Sequence, residues 1–190
     1  MNNIHYASIR NLDISNGEGV GVALFVQGCP FNPHCHNCFN PDTWDFNGGK
    51  EWTQEVEDKL IELANKPYIK RVSFLGGECL ADQNLDGVLD LIKEIRISFP
   101  EKTIWLYTGF QWSQIIAKIH PPIFPDEKFE HDRNIHMKRQ KIISNVDVLV
   151  DGEYIDEQRD VTLKWRGSKN QRVIDVKESI AQNKIVLYCD

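Results

Sequence analysis

Three of the chain's five cysteines, Cys29, Cys35 and Cys38, fall within ten residues in the stretch VQGCPFNPHCHNCFNPDTW (26–44), with His34 and His36 flanking the middle thiol. Residues of these types at this spacing bind a metal, form disulfides or cradle an iron–sulfur cluster. A structural zinc site wants four N or S ligands in a tetrahedron, often as two pairs. Cys29, Cys35, Cys38 and one histidine would supply four, but both histidines adjoin Cys35, where chelation is cramped, and no second Cys-x-x-Cys follows. An iron–sulfur cubane that only carries electrons takes four thiolates. Three would leave one iron without a protein ligand, and an open metal position is where substrate binds. A disulfide framework suits an oxidising compartment and an even cysteine count. The count here is odd and the N-terminus, MNNIHYASIRNLD, has no apolar signal core, so the expectation is a cytoplasmic protein whose clustered thiols serve a metal or catalysis. At this point both metal readings, a cluster cradle and a zinc-stabilised binding module, stand open.

The elements that must position these residues follow from the apolar pattern. The chain has 190 residues, of which 41% are hydrophobic and 26% charged, as in a globular protein with one core. Its net charge of −6 argues against nucleic acid as a partner, and no apolar run approaches the roughly 20 residues of a membrane span. GVALFVQG (21–28), IKRVSFLGG (69–77), KTIWLYTG (102–109) and VDVLVDG (146–152) read as buried strands, each ending in glycine. WTQEVEDKLIELANK (52–66), with Thr53 as N-cap and Pro67 beyond its end, and NLDGVLDLIKEIRISF (84–99) read as helices. WSQIIAKI (112–119) is a short helix, and QRVIDV (171–176) and KIVLY (184–188) are candidate further strands. Strands alternating with helices imply βαβ units, a parallel sheet and an α/β fold. Ligands bind such sheets outside the carboxyl ends of the strands, so GCPFNPHCHNC, GGECL, YTGF and VDG should converge along one edge. The proline-rich then charged stretch 120–141 breaks the rhythm, and is expected to be a surface insertion in a single domain spanning 1–190.

A Cys-rich loop after the first of these strands and GGE after the second resembles the radical S-adenosylmethionine enzymes. NGEGVGVALFVQGC, CFNPDTW, FLGGECL, YTGF, VDVLVDG and WRGSKNQRVID together resemble, more narrowly, the activating components of anaerobic (class III) ribonucleoside-triphosphate reductases. The resemblance runs from about residue 5 to residue 176. It implies a partial, open parallel β/α barrel. It implies a [4Fe–4S] cluster on Cys29, Cys35 and Cys38, with the amino and carboxylate groups of S-adenosylmethionine on the fourth iron. It further implies that one electron, from a donor such as flavodoxin or ferredoxin, cleaves that cofactor to methionine and a 5′-deoxyadenosyl radical. The radical then takes a hydrogen from a glycine of the reductase's glycyl-radical subunit. Gly76 and Gly77 would let backbone approach the cofactor, and Glu78 would accept from its amino group. Asn37 and Phe39 would contact the adenine, and Asp151 and the GSKN turn (167–170) would line the same cavity. An activase of a different glycyl-radical enzyme is the nearest alternative.

Two features depart from the commoner pattern. The first gap between cysteines, PFNPH, holds five residues where three are usual, which adds at most about 7 Å of contour; Pro30 and Pro33 are expected to fold it into a turn. Cys79 stands in GGECL where proline is usual, and is expected to be a small buried hydrophobe. Cys189 is expected to be an exposed thiol, and Trp44, Trp105 and Trp165 to serve packing.

Overall fold

The computed structural model describes residues 4–118 and 126–189. In chain order the elements are β1 (His5–Asp13), β2 (Gly21–Val26), β3 (Lys50–Glu51), α1 (Gln54–Ala64), β4 (Arg71–Gly76), α2 (Leu85–Ser98), β5 (Thr103–Tyr107), α3 (Trp112–Ile116), α4 (Glu127–Ser144), β6 (Val148–Asp151), β7 (Arg172–Asp175) and α5 (Val176–Gln182). The strands form one open, seven-stranded sheet in the order β3-β1-β2-β4-β5-β6-β7. The four central strands are parallel, as expected from the βαβ rhythm. The sheet as a whole is mixed, because β1 and β7 run antiparallel to these four, and β3 runs antiparallel to β1. β1 reaches β2 through a short loop and β7 returns beside β6 without a crossover helix, so each must reverse direction. The candidate strand at 184–188 makes only a single bridge, Leu187 to Ile174.

Side-chain alternation divides the sheet's residues between two faces. One face carries Val22, Leu24, Val72, Phe74, Ile104, Leu106, Leu149 and Ile174 into the main core. There they meet Leu60 and Ala64 of α1, Leu85, Val88, Leu89, Ile92 and Ile95 of α2, and Ile142 and Ile143 of α4. Thr53 caps α1 by accepting from the Val56 N–H, as its position before the periodic stretch predicts. The other face carries Ala23, Phe25 and Leu75, and beside them Trp105, Val148, Val150 and Val173. Among the described residues no helix contributes to the apolar clusters on that face. It is covered by Trp165 from the 152–171 connection and by Tyr188 and the half-buried Cys189 of the tail.

Of the stretch 120–141, residues 120–125 lie outside the described residues, Asp126 caps α4, and the rest belongs to α4, which packs against α2. No helix among the described residues is long and apolar enough to cross a membrane.

Candidate functional site

The cysteine loop begins where β2 ends. Gly28 has φ +92°, and a Cβ there would stand 2.0 Å from the Phe46 ring, so only glycine lets the chain turn at this point. The loop's two ends are sewn together by backbone: Gly28 N–H donates to Thr43 O (2.8 Å) and Cys29 N–H to Trp44 O (3.0 Å). Within it, Cys38 N–H donates to Cys35 O at 3.2 Å, and the Asn40 N–H points at the Cys38 sulfur at 3.4 Å. All three thiols are half-buried and none is in a disulfide. Burial pushes the Cys29 thiol up to about 11, with Glu78, Cys35 and Cys38 adding to the rise and the Phe31 N–H opposing it. Cys35 is also raised, by burial and then by Glu153, whose carboxylate its thiol faces at 3.9 Å. A metal that binds here must therefore displace protons.

The widened gap bends at a cis Asn32–Pro33 peptide and is flanked by aromatic contacts. The Phe31 ring packs on Phe110 with centroids 5.2 Å apart, and a Cβ on Gly109 would stand 2.4 Å from it, so the glycine of YTGF makes room for the cysteine loop. His34 lies flat on Trp44, with centroids 4.1 Å apart and planes 8° from parallel. The exposed His36 faces Asp156 at 3.6 Å.

The GGE loop is docked directly onto this one. Gly77 N–H donates to Val26 O (2.9 Å) and Glu78 N–H to Gly28 O (2.7 Å). A Cβ on Gly76 would meet Val26 backbone at 2.7 Å, and one on Gly77 would meet Gly28 O at 2.4 Å. Both glycines are thus required by the crossing of two backbones, apart from any approach to a cofactor. Glu78 is 1% exposed. Its carboxylate accepts from Leu80 N–H (2.8 Å), Gly109 N–H (2.8 Å) and the Thr108 hydroxyl (2.7 Å). Burial raises its pKa above the usual carboxylate range, against the pull of these three donors. The sequence reading sets Glu78 against a ligand's amino group; the structure gives its carboxylate to the protein.

Above the helix-free face lies a cavity of about 540 Å³. Of the residues singled out in the sequence, Cys38, Phe39, Gly76, Gly77 and Gly167 line it. Asn37, Glu78 and Asp151 are not in its wall, and neither are Cys29 and Cys35. Asn37, at φ +53°, is exposed and donates to Asp156 at 2.8 Å. Asp151 follows Leu149 on the helix-covered face, which takes its side chain away from the cavity. There it accepts from Trp112 N–H (2.7 Å) and is clasped by both arms of Arg172. Phe39 packs on Tyr154 (4.8 Å) and on Gly167, where a Cβ would stand 2.5 Å from the ring.

Sequence reasoning missed Arg10, Tyr107 and Tyr154, and placed Trp165 in packing alone; all four line the cavity. Arg166, from WRGSKNQRVID, also lines it. Cys79 is fully buried in the main core, as a small hydrophobe would be.

This donor set fits a cluster better than a single ion. Among the described residues no three His, Cys, Asp or Glu side chains gather closely enough to clasp one metal ion, and His34 and His36 are turned to other partners. A four-iron cluster asks a different iron of each thiol, so its ligands stand apart instead of meeting at a point. Three half-buried thiols on one loop suit that demand, and Cys38 opens it to the cavity.

Comparison with known proteins bears on the same residues. A family model described as a 4Fe-4S single cluster domain matches residues 15–174. The chain is similar to the anaerobic ribonucleoside-triphosphate reductase-activating protein of Vibrio cholerae, at 35% identity over 88% of this chain and 96% of the relative. The proteins of that name from Escherichia coli K12 and Enterobacteria phage T4 are each 33% identical over 90% of this chain, covering 97% and 93% of their own lengths. No solved structure matches the chain significantly.

Proposed function

This chain belongs to the family of anaerobic ribonucleoside-triphosphate reductase-activating proteins, and from that premise we propose that it installs a glycyl radical on an anaerobic ribonucleoside-triphosphate reductase. It is a radical S-adenosylmethionine activase, and its cofactors are a [4Fe–4S] cluster and S-adenosylmethionine. The observation that carries the assignment of residues is the three-thiol loop, sewn to the GGE turn and opening through Cys38 into the cavity. When bound, the cluster would supply the electron for reductive cleavage of S-adenosylmethionine, and the partner's glycine would give up the hydrogen.

The chain's own residues bind, orient and shield. Cys29, Cys35 and Cys38 are the cluster ligands, and Cys79, enclosed in the core, leaves the fourth iron open. Gly76 and Gly77 present backbone to the cofactor at the cavity wall, while Glu78 positions that backbone from behind. Phe39, with Tyr154 against it, forms an apolar shelf for the adenine, and Asn37 and Asp151 hold the flanking turns. The α/β sheet is a partial barrel of the radical S-adenosylmethionine type, with its interior on the helix-free face. The chain is one domain with 120–141 as a surface insertion. It works in the cytoplasm with a flavodoxin- or ferredoxin-like one-electron donor, without nucleic acid or membrane.

Anaerobic reconstitution tests this directly. The expected result is close to four irons per chain, with 5′-deoxyadenosine formed on adding S-adenosylmethionine and dithionite. Alanine at Cys29, Cys35 or Cys38 should abolish cleavage, and at Cys79 should leave most of it. Loss of the cluster in the Cys79 variant, or a full cluster with no cleavage, would contradict the reading.

A further inference from the structure

The ends of the cysteine loop are sewn together by backbone, but the stretch between Cys35 and Cys38 reaches across to the connection between β6 and β7. There Asn37 donates to Oδ2 of Asp156 at 2.8 Å, and His36 faces the same oxygen at 3.6 Å. The other oxygen, Oδ1, accepts from the Tyr154 hydroxyl at 2.5 Å. The Tyr154 ring packs on Phe39, the residue after Cys38, with centroids 4.8 Å apart. One carboxylate therefore holds two things at once: the segment between two of the three thiols, and the ring against which the residue after the third thiol rests. Hydrogen bonds to an ionised acceptor are roughly twice as strong as neutral ones. Asn37 presents its donor from a left-handed backbone, φ +53°, a conformation in which Asn is enriched among non-glycine residues.

Asp156 stands on a segment clamped by the GSKN turn and the glutamine after it. Gln171 donates to Gly152 O (2.9 Å) and Asn170 to Glu153 O (2.8 Å). The fully buried Ser168 hydroxyl accepts from the Ile155 N–H (3.2 Å). Connecting segments are ordinarily the more mobile parts of a fold. These bonds take that freedom from the backbone leading into Asp156, where it meets the cysteine loop.

We propose that Asp156 is a positioning residue for the reaction: it latches the Cys35–Cys38 segment to the clamped β6–β7 connection, so that the thiols and the Phe39 ring keep their places beside the cavity. What the loop holds rests on the activase reading above. The latch itself is a property of the unloaded chain and is testable there.

Hydrogen–deuterium exchange across residues 29–40 of the unloaded chain reads the latch directly. Asp156→Ala should speed exchange there about tenfold. In the reconstituted protein the same variant should lose iron to excess EDTA about tenfold faster, and raise the KM for S-adenosylmethionine severalfold with a smaller change in kcat. Asn37→Asp sets two carboxylates face to face and should do at least as much damage. Asn37→Asp combined with Asp156→Asn exchanges donor and acceptor: the new amide donates to the carboxylate at position 37, and its oxygen still accepts from Tyr154. That double variant should return to within about threefold of wild type in exchange and in iron loss. Because it keeps both bonds, it reports on the latch even if Asp156→Ala folds poorly. Exchange and iron loss unchanged in Asp156→Ala would overturn the inference. So would a double variant as impaired as Asn37→Asp alone, since Asn37 would then act without Asp156. A wild-type protein that takes up no cluster, or cleaves no S-adenosylmethionine with one, would instead overturn the activase reading, while exchange in the unloaded chain would still decide the latch.

Discussion

Glu78 sits behind the site and holds it: its carboxylate ties the turn after β4 to Thr108 and Gly109 after β5. Glu78→Ala would leave two buried N–H groups and a hydroxyl without an acceptor. Each orphan costs about 1–3 kcal/mol, so the variant should melt roughly 10 °C lower, at 2–4 °C per kcal/mol for a chain of this size. Glu78→Gln keeps the acceptor for Leu80 and Thr108 but turns an amide NH2 toward the Gly109 N–H, and should lose about 1–3 kcal/mol. Thermal denaturation of both variants checks this ordering. A Glu78→Gln protein with wild-type melting but weakened S-adenosylmethionine binding would place the carboxylate on the cofactor after all. The same scale separates the cysteines. Residue type alone does not tell a ligand from a core residue, but enclosure does: Cys79 is fully buried among aliphatic side chains, whereas Cys38 borders the cavity.

At the scale of elements, α4 braces the site from outside. Arg139 donates to Leu80 O (2.9 Å) and Asp82 (2.8 Å) in the loop after GGE, and its guanidinium stacks 4.2 Å over Phe110. Phe110 in turn packs on Phe31 in the widened cysteine gap. Arg139→Ala should cost about 1–2 kcal/mol through these lost contacts and lower melting by a few degrees. It should also speed proteolysis within 29–38; cleavage rates there equal to wild type would show that the brace does not reach the loop. The central strands were legible because their buried runs, such as GVALFV, are apolar on both faces. β1 was not, because HYASIRNLD alternates weakly and is half-exposed along most of its length. Strand direction at the edges was not legible either. It follows from the connections, a short loop from β1 to β2 and a return to β7 without a crossover helix, which leave no periodic trace.

For the whole molecule, the decisive feature is a sheet with helices packed on one face and a cavity on the other. On the cavity side of the sheet, Arg71 is fully buried and donates to Asp13 (2.6 Å) and Ser73 (2.6 Å). Gly17 and Gly21 of NGEGVG make room for that side chain; a Cβ at either would stand within 2.8 Å of it. The glycine-rich stretch thus packs around an arginine and carries Ser15 and Asn16 into the cavity wall. The cysteine and glycine loops were legible as a site because parallel strand ends converge by rule. Arg10, Tyr107 and Trp165 were not, since β1 and the long return to β7 bring them in from far along the chain. The step that most needs testing is the transfer of a hydrogen from a partner glycine to the cofactor's 5′ carbon in this cavity. The most direct measurement uses anaerobic reductase labelled with glycine deuterated at Cα, the reconstituted chain, S-adenosylmethionine and dithionite, with mass analysis of the 5′-deoxyadenosine formed. The expected product carries one deuterium, in step with growth of the glycyl-radical signal. Unlabelled 5′-deoxyadenosine alongside a growing signal, or no signal at all, would contradict hydrogen transfer from the glycine.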